Sequence, residues 1–112
     1  MAIISNIVID QGTSFSAEID VSDNEGNILP LTGYTAAGQM RRTYSSTTAT
    51  DFTAIVSSAL EGTVKISLTP TQTNSLKAGR YVYDVEITAA DGSITRVVEG
   101  QVEVTPGVTR AS

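Results

Sequence analysis

The chain has 112 residues, 40% of them hydrophobic and 17% charged, with a net charge of −5. That length and apolar content suit one globular domain with a single core, not a disordered chain. The seven Lys and Arg residues are scattered, with one adjacent pair at Arg41-Arg42, so the basic stripe of a phosphate-binding protein is missing and no nucleic-acid partner is expected.

The sequence holds no cysteine and no histidine. Disulfides, thiolate ligands, a cysteine nucleophile and an imidazole base are excluded together. Gly26, Gly33 and Gly38 are not spaced to cradle a phosphate. No catalytic residue, metal site or cofactor is therefore expected. The opening MAIISNIVID lacks a basic leader region, and no apolar run reaches the ~18 residues of a membrane span. The expectation is a chain soluble when made, with no cleaved signal and no membrane partner.

In chain order, the first apolar segment is Ile3 to Asp10, apolar on both faces and so expected to be covered on both sides. The turn Asp10-Gln11-Gly12 leads to Thr13 to Val21, where Phe15, Ala17, Ile19 and Val21 share a face opposite Ser14, Ser16, Glu18 and Asp20. Such alternation marks a half-buried strand. A turn at residues 23–27 follows. Tyr34 to Arg42 then sets Tyr34, Ala36, Gly38 and Met40 on one face, a stripe of small residues into which another side chain can press. Thr50 to Ser57 turns Phe52, Ala54 and Val56 one way and Ile55 the other; Val64, Ile66 and Leu68 repeat the pattern.

At Thr69 to Leu76 the pattern breaks. Thr69 is placed to cap and Pro70 to start one helical turn near 70–76, crossing between sheets with Leu76 in the core. Next comes Arg80 to Ile87, with Tyr81, Tyr83, Val85 and Ile87 inward and Arg80, Val82, Asp84 and Glu86 outward. Ala90-Asp91-Gly92-Ser93 is a hairpin turn. The last strand sets Val98, Gly100, Val102 and Val104 against Val97, Glu99, Gln101 and Glu103. About seven short strands with regular turns predict an all-β antiparallel sandwich over 1–105, followed by a tail, 106–112.

Three patches are candidates for chemistry. The carboxylates Glu18 with Asp20 and Asp84 with Glu86 lie two apart on strand faces, and Glu99 and Glu103 lie four apart with Gln101 between them; a glycosidase uses such a pair, but outward acids on a regular strand are a solvated face. Residues 23–27 offer oxygen ligands yet lack the distal bidentate Glu of a calcium loop, so a turn is the better reading. Arg41, Arg42 and Tyr44 bring together residue types enriched at protein interfaces, and a partner interface is preferred there over a small-molecule site.

Four ordered segments carry a resemblance: IDQGTSF at 9–15, LTGYTA with QMRR at 31–42, LKAGRYVYDV at 76–85, and RVVEG to TP with VTR at 96–110. Together they resemble small virion structural proteins of tailed bacteriophages, particularly contractile-tailed phages of cyanobacteria. The resemblance implies an Ig-like β-sandwich, non-enzymatic, made in the host cytoplasm and built into the particle. Tail or baseplate is the preferred location. The implied partners are other virion proteins, with homo-oligomers as a further option, reached through strand edges, loops and the tail. The tail is expected to be held by a neighbour, which adds Val108 and Arg110 to the candidate interface. The alternatives are a capsid decoration protein and a host-surface carbohydrate-binding module, the latter resting on Tyr34 and Tyr44. A tyrosine just after a crossover also suggests the tyrosine corner of Ig-like folds, with Tyr81 the candidate.

Overall fold

The computed structural model describes residues 3–23 and 25–108. Its elements are β1 (Ile3–Ile4), β2 (Ile7–Asp10), β3 (Phe15–Asp20), β4 (Thr35–Arg41), β5 (Thr50–Ser58), β6 (Thr63–Leu68), α1 (Pro70–Asn74), β7 (Gly79–Thr88) and β8 (Ile94–Thr105). The fold is the all-β sandwich that the alternation predicts.

One hydrogen-bonded path, β1-β8-β7-β4-β5-β6-β3, curls into two layers, with β2 also on β8. The curl happens inside β5. Its residues Thr50 to Phe52 pair with β4, and Thr53 to Ser58 pair with β6. The first layer is therefore β1/β2, β8, β7, β4 and the start of β5; the second is the rest of β5, β6 and β3. The pairs β4–β5, β4–β7, β7–β8, β5–β6 and β3–β6 are antiparallel, whereas β1 and β2 run parallel to β8.

Parity sets the core. Tyr81, Tyr83, Val85 and Ile87 of β7 are buried against Val64, Ile66 and Leu68 of β6, and Met40, Phe52, Val102 and Val104 complete the middle. Each such aliphatic side chain contributes about 1.5–3 kcal/mol by leaving water. The small-residue stripe of β4 does admit a neighbour. The Phe52 ring lies against Gly38, where a Cβ would come within 3.3 Å of it. The same ring meets Tyr83 edge-on at 6.1 Å.

The crossover α1 is capped on both sides of its first turn. Thr69 Oγ1 accepts from the Gln72 N–H at 3.2 Å, and Gln72 Oε1 accepts from the Thr69 N–H at 2.8 Å. Pro70 opens the turn and Leu76 is buried. The Tyr81 hydroxyl then donates to the Lys77 carbonyl at 2.7 Å, which closes the tyrosine corner. At the far end of β7, the Ser93 N–H donates to Asp91 Oδ1 at 2.9 Å. That backbone bond, with help from the Ser93 hydroxyl, holds the Asp91 carboxyl below its usual range.

Two expectations are corrected. The segment Ile3 to Asp10 is not covered on both sides: it is a lateral edge broken at Ser5-Asn6, with Ile9 buried and Ile3, Ile4 and Val8 exposed. Val97 does not face outward. The β7–β8 register shifts beside it, so that Val85 pairs with Val98 and Glu86 with Arg96. This bulge turns both Val97 and Val98 into the core.

Candidate functional site

The β4 strand ends at Arg41, which pairs with Val82 of β7, and the chain then loops out before β5. The tip is a closed turn. The Ser46 N–H donates to the Thr43 carbonyl at 3.1 Å, and the Thr43 N–H donates to Ser46 Oγ at 3.1 Å. Arg41 braces it from the strand: Nη1 donates to the Ser46 carbonyl at 2.7 Å and Nη2 to Gln39 Oε1 at 3.0 Å. Tyr44 stands on this turn with 81% of its surface exposed.

Arg42 points the other way, its guanidinium 4.9 Å from the centroid of the Tyr81 ring. A cation over an aromatic face is stabilising. Gly79 makes room for it: a Cβ there would sit 2.5 Å from Arg42 Nη1, and its φ of +136° suits glycine. Of the three residues grouped by sequence, Arg41 shapes the loop, Arg42 caps the corner, and Tyr44 is left as the projecting group.

The tail root lies at the same end. Gly79 pairs with Val104, and Asp10 with Thr105. Gln11 ties this end together, donating through Nε2 to the Leu76 carbonyl at 2.7 Å and accepting at Oε1 from the Gly107 N–H at 3.1 Å. Val108 follows, 97% exposed. Arg110 lies outside the described residues.

Beside Tyr44, on the outer face of the first layer, runs a shallow trough of about 340 Å³ whose polar walls include Gln39, Arg41, Asp84, Arg96 and Glu99. Its side chains hold one another. Gln39 Nε2 donates to Asp51 Oδ1 at 2.6 Å. Asp84 and Glu99 are directly opposite across β7–β8, and Arg96 bridges them at 3.1 and 3.8 Å. Half-exposed ion pairs of this kind contribute about 0–1 kcal/mol. The alternation placed Asp84 and Glu99 outward, but only the register brings them and Arg96 together.

Asp23 Oδ1 accepts from the Glu25 and Asn27 N–H groups at 2.9 and 3.0 Å, and the Asp23 N–H donates to the Asn27 carbonyl at 2.8 Å, the bonding of a turn. The tyrosines divide as parity predicts: Tyr34, on the face it shares with Met40, is half-buried against the core, which leaves Tyr44 as the exposed one. A contact missed by the sequence reading is Tyr83. Its hydroxyl donates to the Ser5 carbonyl at 2.6 Å and fastens the edge segment. Burial pushes this hydroxyl above its ordinary range, and the Ser5 side chain partly opposes the shift. The available signal was Gly100, since a glycine inside a strand often marks close backbone approach; here Ser5 crosses it.

No protein-family model and no curated protein matches the chain. Among solved structures it is similar to an internalin-like protein of Listeria monocytogenes, at 17% identity and a TM-score of 0.51, covering 93% of this chain and 28% of that one. It is also similar to a family 123 glycoside hydrolase from Clostridium perfringens, at 14% identity and a TM-score of 0.43, covering 94% of this chain and 23% of that one. The chain thus spans less than a third of either protein. The first likeness speaks to the fold alone, and the second carries no argument. Among the described residues no helix is long and apolar enough to cross a membrane.

Proposed function

We propose that this chain is a non-enzymatic structural component of a bacteriophage virion, in the tail or baseplate, that docks onto other virion proteins. The observation that carries the docking role is Tyr44. An aromatic side chain 81% exposed is held on a turn closed by its own hydrogen bonds and braced by Arg41. A rigid exposed aromatic loses little entropy when a partner covers it, and such residues dominate interface energies. The ordered sequence resemblance supports the virion setting. Tyr44→Ala is expected to weaken incorporation by the ~2 kcal/mol or more of an interface anchor, about 30-fold in affinity. The test counts copies per purified particle for wild type and Tyr44→Ala; equal copy numbers would refute this docking role.

One observation favours a second reading. Tyr44 overhangs a trough whose Gln39, Asp84 and Glu99 are fixed by hydrogen bonds and ion pairs. Fixed planar polar groups beside an aromatic ring suit a sugar, which makes a host-surface glycan the alternative ligand. A glycan array separates the two: binding abolished by Tyr44→Ala supports the glycan, and no binder on the array removes it.

A further inference from the structure

The two lateral edges of the sandwich differ in kind. The β1/β2 edge is broken at Ser5-Asn6, where the backbone crosses Gly100 and is tied down. The Ser5 N–H donates to the Glu99 carbonyl at 2.9 Å, the Ser5 carbonyl accepts from Tyr83, and Asn6 Oδ1 accepts from the Gln101 N–H at 3.0 Å. A kinked edge is poor at pairing with another chain.

The β3 edge is regular. Phe15 to Asp20 pair with Leu68 to Thr63 of β6 in an unshifted register, and among the described residues no strand lies on the other side of β3. A strand paired on one side presents alternate N–H and C=O groups outward along the other. The segment FSAEID contains no proline, lysine or bulge to blunt that edge. Its core-facing residues Phe15, Ala17 and Ile19 are only half-buried, whereas the core-facing residues of β7 are buried throughout. Alongside them, between β3 and the β1/β2 segment, lies a cleft of about 210 Å³ whose lining includes Ile3, Ala17, Ile19 and Val98 together with Glu18 and Asp20. The second layer is one strand short of closing over its own core.

Charge selects what fits. Glu18 and Asp20 are exposed on the outer face of β3; Lys65 of β6 lies opposite Glu18 and the Thr63 hydroxyl donates to Asp20 Oδ1 at 3.4 Å, but among the described residues neither acid makes an ion pair. A second copy pairing its own β3 antiparallel about Glu18 or Ile19 would set these acids against one another, and like charges across a strand pair are destabilising; pairing about Ala17 sets Glu18 against Ser16 and leaves it without a counter-charge. We infer that β3 accepts an extended segment of a different, basic protein partner by strand addition. Its alternate apolar residues enter the cleft, and its intervening Lys or Arg residues lie against Glu18 and Asp20. The inference goes beyond the Tyr44 interface and does not depend on the virion setting, since it rests on a different edge.

The test uses a capped eight-residue peptide of alternating Val and Lys, a matched Val/Glu peptide, and a peptide of this chain's residues 105–112. Amide NMR shifts and hydrogen exchange report binding to the intact protein. The Val/Lys peptide is expected to shift and protect the β3 amides. The double variant Glu18→Lys/Asp20→Lys, changed only at exposed side chains, is expected to bind it about tenfold more weakly and to prefer the Val/Glu peptide. The inference is overturned if no β3 amide responds to the Val/Lys peptide, or if the double variant leaves its affinity unchanged. Tighter binding of the 105–112 peptide, or dimerisation through β3, would equally overturn it by making the occupant a second copy.

Discussion

Gly100→Ala tests how the edge segment is held. A Cβ built on Gly100 would lie 2.8 Å from the Ser5 carbonyl carbon, 3.1 Å from Asn6 Oδ1, and closer still to the Ser5 oxygen. The nearest atoms are backbone, which cannot swing aside as a flexible side chain can. The Ser5-Asn6 crossing must therefore lift. Crowding of this kind costs about 1–3 kcal/mol. Lifting also breaks the 2.6 Å bond from Tyr83 to the Ser5 carbonyl, for about 1 kcal/mol more. The sum, about 2–4 kcal/mol, is a large share of the ~5–15 kcal/mol that holds a domain together. Urea unfolding measures it, and hydrogen exchange is expected to rise at residues 3–10 while β3 to β6 stay protected. Tyr83→Phe sharpens the test. Alone it is expected to cost about 1 kcal/mol; in the Gly100→Ala background it is expected to add less than ~0.5 kcal/mol, because the bond is already lost. A wild-type stability for Gly100→Ala, or full additivity of the two changes, would show that Ser5 is not held against Gly100 through Tyr83.

Other consequences follow from the same contacts. Tyr81→Phe removes the bond to Lys77 and is expected to cost about 1 kcal/mol in urea unfolding, with the fold unchanged by circular dichroism. Thr69→Ala removes the cap of α1, for about 1 kcal/mol by the same assay. Alkaline pH gives a signed prediction. Burial raises the Tyr83 pKa in the folded state, so the neutral hydroxyl is favoured there. That stability is present below pH ~10, the unfolded value, and is lost as pH rises through the folded value. Wild type is expected to lose stability above pH ~10 more steeply than Tyr83→Phe; parallel profiles would contradict it.

Alternation carried β3 to β7 because each of those strands has one buried and one solvated face, and parity prints directly onto the sequence. It failed where that premise failed. Ile3, Ile4 and Val8 are apolar yet exposed, and a run apolar on both faces looks the same whether it is sandwiched or lies at a free edge. The bulge at Val97 adds a residue that alternation cannot see, since only the pairing with β7 reveals it. The Thr69 cap and the tyrosine corner were legible because both are local, at Thr69-Pro70 and at Lys77 to Tyr81; the reciprocal bond from Gln72 that completes the capping box was not read. Arg41, Arg42 and Tyr44 were legible as neighbours in the chain. Their division of labour was not, because it depends on Ser46, Gly79 and Tyr81 arriving from elsewhere. The open edge of β3 is a property of strand order and leaves no mark in the FSAEID segment itself.

Cryo-electron microscopy of the intact particle decides whether the Tyr44 turn docks. Density for this sandwich is expected in the tail or baseplate, with the Thr43–Ser46 turn seated on a neighbouring protein and Tyr44 covered. A particle without such density, or one that leaves the Tyr44 turn facing solvent in every copy, would contradict it.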